Sequence, residues 1–156
     1  MSLKQRWLRC LPAGLVLAAL VLAIVWLVQP RAFSDVIHSD NAVEFYIYTT
    51  DFETDHELLS ARPQREEMEP LLDLLKEGTL RLTGRTLILR WQSEDTLYHL
   101  SFYHGEDGLW VQDASFGLCT DGMVYVPHDW LGYLCYELTG CDMEAINAQL
   151  GQMLGM

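Results

Sequence analysis

The sequence predicts an α+β protein: a single N-terminal transmembrane helix, then an antiparallel meander sheet of about six strands with about three helices. Three observations predict it. Residues 11–28 (LPAGLVLAALVLAIVWLV) form an uncharged apolar run near the amino terminus. Beyond residue 42, short segments alternate apolar and polar residues at period two, and the turns between them are too short for parallel crossovers. Other segments repeat their apolar residues at helical spacing.

The apolar run comes first. As a helix its residues span roughly 27 Å at about 1.5 Å per residue, close to the hydrocarbon thickness of a bilayer. Pro12 falls in the first turn, where a missing N–H is harmless, and Trp7 and Trp26 flank the run where interfacial aromatics are favoured. A cleaved signal peptide has a shorter apolar core, about 7–15 residues, and Cys10 lacks the preceding small residue of a lipoprotein signal. The expected organisation is a basic cytoplasmic flank over 1–10, a signal anchor over 11–29, a polar tether over 30–41 and an acidic extracytoplasmic domain over 42–156. Charge sets that orientation. Residues 1–30 carry Lys4, Arg6 and Arg9 and no acid, whereas residues 31–156 carry a net charge of −15, so the basic end should stay in the cytoplasm. Membrane lipid is thus the first expected partner, through residues 11–29.

In the external part, Val43, Phe45 and Ile47 alternate with Glu44, Tyr46 and Tyr48, which predicts a strand. Residues 51–63 read as a polar loop. A helix is expected over 64–77, with Met68, Leu71, Leu72 and Leu75 on one face, Pro70 as a kink or late start, and Gly78 as the stop. Leu80 and Leu82 lead into Thr83-Gly84 and a second β run over 86–91, a hairpin pattern. Further strands are expected over 97–103, 109–111, 116–119 and 123–126, the last two joined by Thr120-Asp121-Gly122. Two helices should close the chain: one over 128–139 with Trp130, Leu131, Leu134 and Leu138 together, and one capped by Asp142 with Met143, Ile146, Leu150 and Met153 on a face.

Half the residues are apolar, too many for a disordered chain. An acidic part of this kind, −15 over residues 31–156, makes a poor nucleic-acid binder, because phosphate contacts need a basic face. Cys119, Cys135 and Cys141 lie beyond the membrane. A Cys119–Cys141 bridge would tie the last hairpin to the final helix and contribute roughly 3 kcal/mol in the chain-entropy model; three small buried hydrophobes are the alternative. The acids at 51, 53, 55 and 57 alternate, so an extended segment puts them on one side as hard-cation ligands would be, but a calcium loop starting at Asp51 would place His56 at the glycine position and Arg62 at the final acid. His99 and His104 fall on opposite faces of one strand, so they make no chelating pair. No metal site and no cofactor is expected.

Catalytic motifs are missing from the sequence: there is no Gly-x-Ser-x-Gly elbow and no Cys-x-x-Cys pair. Aromatic residues are dense between 91 and 136. Tyr98, Tyr103 and Trp110 are the candidate binding residues, since exposed aromatics stack on sugars or anchor proteins. The function expected first is a non-enzymatic, membrane-anchored interaction or sensing module that contacts another envelope protein. A small domain binding a sugar or cell-wall fragment is the alternative, with a carboxylate-based hydrolase third. An exposed apolar patch without a cavity favours a partner protein; a concave groove with aromatic and polar lining favours a sugar.

Overall fold

The period-two alternation becomes one sheet with two unlike faces. The computed structural model describes residues 3–50, 57–86, 96–106 and 109–156, with side chains from residue 14 onward except at residue 27. The fold is α+β: among the described residues, eight strands form a single antiparallel sheet accompanied by four helices. The strands are β1 (Arg31–Ala32), β2 (Glu44–Thr50), β3 (Glu57–Ala61), β4 (Thr79–Thr86), β5 (Leu97–Glu106), β6 (Leu109–Cys119), β7 (Met123–His128) and β8 (Gly132–Thr139). The helices are α1 (Leu3–Val28), α2 (Phe33–Val36), α3 (Arg65–Glu77) and α4 (Met143–Leu154).

Spatial order in the sheet is β1-β4-β8-β7-β6-β5-β2-β3. Strands β5 to β8 follow one another as neighbours, and the β2–β3 hairpin adds to the outer side of β5. The chain then returns through α3 from the β3 edge to β4, next to the opposite edge. That return lays α3, with α4 beside it, over one face.

The covered face holds the core. Phe45 and Ile47 of β2, Leu100 and Phe102 of β5, and Phe116 and Leu118 of β6 pack there against Met68, Leu71 and Leu75 of α3 and Ile146 and Leu150 of α4. Four phenylalanines run through it edge to face: Phe33–Phe116 and Phe116–Phe102 at 5.6 Å, and Phe102–Phe45 at 5.4 Å. Each such buried side chain stabilises the fold by about 1.5–3 kcal/mol. The amphipathic face expected for α3 is the buried one, and the helix runs through Pro70. A capping box starts it, in which the Gln64 N–H donates to Glu67 Oε2 at 2.8 Å. Asp142 caps α4 by accepting from the Ala145 N–H at 3.0 Å.

Several expectations are corrected. Residues 128–139 are the end of β7, a turn and strand β8 rather than a helix. Leu134 and Leu138, four apart, share a face under either periodicity, and Gly132 at φ 75° interrupts the segment. Trp130, expected on the buried face, is 88% exposed. The segments at 109–111 and 116–119 are one strand, β6. Thr83-Gly84 is an irregularity within β4, opposite Cys135, and not a hairpin turn. The expected loop over 51–63 contains β3, paired with β2. The stretch expected as a tether is packed into the domain. Phe33 and Ile37 are fully buried, the Phe33 N–H donates to the Gly78 carbonyl at 3.1 Å, and Arg65 hydrogen-bonds the Ala42 carbonyl. The β run at 87–91, the turn at 93–95 and the acids at 51, 53 and 55 lie outside the described residues.

The α+β part of the expected fold is present; the transmembrane helix is the part that is not shown. Among the described residues no helix is long and apolar enough to cross a membrane.

Candidate ligand-binding face of the sheet

Helices cover one face of the sheet, so the residues of opposite parity line the other. On β2 these are Tyr46, Tyr48 and Thr50; on β5 they are His99, Ser101 and Tyr103. Ser115 and Gly117 of β6 face them, and Tyr125, Pro127 and Tyr133 of β7 and β8 form the far side. Together with Glu57 of β3 these residues bound an open concavity of about 590 Å³. That size suits a small ligand.

The register explains who meets whom. Tyr48 pairs with His99 and His99 with Gly117, so a residue without a side chain lies opposite His99 in the lining. A Cβ at Gly117 would come within 3.0 Å of Leu97 Cδ1 and 3.7 Å of Tyr125 Cβ. The Tyr48 and His99 rings stack at 4.5 Å with an interplanar angle of 7°. His99 Nε2 and Thr50 Oγ1 share a hydrogen bond of 3.2 Å, as do the Ser101 and Ser115 hydroxyls, also at 3.2 Å. Tyr46 packs against Tyr48 at 5.3 Å, and the Arg62 guanidinium lies 5.3 Å over its ring. The Tyr46 hydroxyl donates to Glu57 Oε2 at 2.7 Å. That bond holds the Glu57 carboxyl below its ordinary value and raises the Tyr46 phenol, because it favours the carboxylate and the protonated phenol together. Among the described residues lining the concavity, Glu57 is the one carboxylate.

One side of this face is closed by a second small cluster, in which Leu97, Cys119 and Tyr125 pack with Met123, Tyr133 and Cys135. Burial pushes the Cys135 thiol up, which disfavours the thiolate.

The candidate residues chosen from sequence are not gathered at one place. Tyr103 lines the open face. Tyr98 belongs to the core on the covered face, 3% exposed, and burial raises its phenol, so it is not a contact residue. Trp110 stands at the tip of the β5–β6 hairpin, 58% exposed, outside the concavity. The Cys119–Cys141 bridge is not formed. Cys119 packs in the open-face cluster, while Cys141 packs against the main core on the other side of the sheet. His104 is hydrogen-bonded through Nδ1 to Asp113 Oδ1 at 2.5 Å, remote from His99 on the same strand. No group of three His, Cys, Asp or Glu among the described residues is placed to hold a metal ion.

Sequence reasoning passed over Tyr46, Tyr48, His99, Ser101 and Gly117. Their signal was parity: each sits one residue off a buried apolar position on its strand. A second cleft, about 520 Å³, lies between α3, α4 and the end of β3, lined by Arg62, Glu67, Pro70, Gln149 and Gln152 among others. No family model matches the chain, and no curated protein or solved structure matches it either.

Proposed function

We propose that this protein is a membrane-anchored, extracytoplasmic recognition module without catalysis of its own, which receives a neutral, polar, ring-bearing ligand on the open face of its sheet. A saccharide or cell-wall fragment fits that description. The observation that supports this reading is the concavity itself. The rings of Tyr46, Tyr48 and Tyr103 line it beside the Ser101 and Ser115 hydroxyls, with a glycine in the lining. Aromatic faces stack on the apolar face of a sugar ring, and the hydroxyls satisfy its polar edge. Hydrolysis by paired acids finds only Glu57 among the described lining residues.

The anchor belongs to the same proposal. Its support is the uncharged run over 11–28 behind three basic residues, together with the exposed apolar side chains of α1 from Leu15 to Val28. A helix apolar all round is stable in lipid and costly in water.

Titration with N-acetylglucosamine oligomers tests the ligand. Tyr48→Ala and Tyr103→Ala should each weaken binding by about three- to tenfold, the loss of one aromatic contact. Absence of saccharide binding at millimolar concentration, with a protein retained in affinity capture from mild detergent, contradicts it. That outcome would favour the second reading, an envelope-protein partner. This one is supported by β3, whose Leu58 and Leu59 are exposed and whose outer side carries no further strand among the described residues, an edge suited to strand addition.

A further inference from the structure

We infer that one end of the sheet, bearing the β5–β6 hairpin tip and the β7–β8 turn, is seated on the lipid interface of the membrane that holds α1. The inference rests on the anchor reading above. Topology puts the two turns at one end. Gly117 pairs with Tyr125 in antiparallel strands, so Leu109–Val111 at the start of β6 and His128 at the close of β7 lead away from that pair in the same direction. Glu44 pairs with Tyr103 near the end of β5, which brings Val43 to this end as well.

The helix reaches the sheet here too. Arg31 pairs with Leu80, so the chain before Arg31 runs along β4 toward Thr86, which faces Tyr133 at the start of β8. Trp26, Gln29 and Arg31 share a cavity of about 300 Å³ with His128 and Leu131 of the β7–β8 turn.

The exposed apolar side chains follow the same geography. Outside α1, eight large hydrophobic residues are exposed among those described, and five lie at this end: Val43, Leu109, Trp110, Val111 and Trp130. Trp110 and Trp130 are 58% and 88% exposed. Water is a poor environment for two such indoles, and the headgroup region a good one, since it takes the apolar ring and the polar N–H together. The helix end fixes the occupant: a surface joined to a bilayer-spanning segment within a few residues meets lipid before it meets a protein. Arg31 lies 4.5 Å over the Trp26 ring, a cation at headgroup level. Glu106 and Asp129 beside the two tips keep them in the interface and out of the hydrocarbon.

The test uses the full chain in phosphatidylcholine vesicles, with and without brominated acyl chains, and compares it with the W110F/W130F double variant. The emission lost in that variant is the share of Trp110 and Trp130. Both positions are exposed, so phenylalanine there leaves the core untouched. Bromination should quench that share by about twofold or more, as expected of indoles held at the interface. If the chain pellets with the vesicles and the share is equal in both, the docking is wrong and the anchor stands. If the chain stays in the supernatant, the anchor reading fails and the docking with it.

Discussion

At Tyr46 the phenol donates to Glu57, and that single bond ties the acid and alkaline behaviour of the open face together. The Glu57 carboxyl is depressed, so the contact is complete above the ordinary glutamate value of about 4.3 and is lost as pH falls through the lower folded value. The Tyr46 phenol is raised, so the contact is complete below about 10 and is lost as pH rises through the higher folded value. Carboxyl NMR should place the Glu57 midpoint below that of an ordinary glutamate, and Tyr46→Phe should move it upward. An unchanged midpoint in the variant would show that the bond is not what holds it. Parity decides the fate of other residues on the same strands. Tyr98 and Tyr103 differ by five positions, so one enters the core and the other the open face, and density of aromatics alone does not separate them. In the core, Phe116→Ala removes a ring in contact with Phe33 and Phe102. It should lower stability by about 3–5 kcal/mol in urea unfolding; a loss below 1 kcal/mol would contradict its central place.

At the scale of elements, local chemistry was legible wherever one residue type enforces one geometry. The Thr120-Asp121-Gly122 turn is such a case. Gly122 sits at φ 90°, and its N–H donates to the Cys119 carbonyl at 2.9 Å. Gly122→Ala should cost about 1–2 kcal/mol, read by thermal or urea denaturation, because a side chain is strained in that region. The caps behave alike: Asp142→Ala should cost about 1 kcal/mol by freeing the Ala145 N–H, and an unchanged stability would argue against the cap. The helix α3 was legible from Met68, Leu71, Leu72 and Leu75, whose spacing fits no strand. Strand β8 was not, since Leu134 and Leu138 satisfy both periods and the deciding pairings, Val124 with Tyr136 across the β7–β8 turn and Leu80 with Leu138 from the distant β4, lie outside the segment. Short elements hid for the same reason. Nothing local marks β1 or α2; Phe33 and Ile37 become core residues only when the sheet and α3 are present.

For the whole molecule, antiparallel pairing was readable from close turn spacing, but the order of strands was not. The return through α3 from the β3 edge to β4 covers one face of the sheet, and among the described residues no helix lies on the other. The candidate site follows from that asymmetry. Its residues come from β2, β5, β6, β7 and β8, with Glu57 added by β3, so only the assembled sheet brings them together. The charge of −15 beyond residue 30 disfavours anionic ligands across the whole domain, which agrees with a neutral occupant. The direct measurement is an amide NMR titration of the full chain, held in phosphatidylcholine nanodiscs, with N-acetylglucosamine oligomers. The account predicts saturable shifts centred on Tyr48, His99, Ser101 and Gly117. Shifts confined to the Arg62–Gln152 cleft behind the sheet, or none at millimolar concentration, would contradict it.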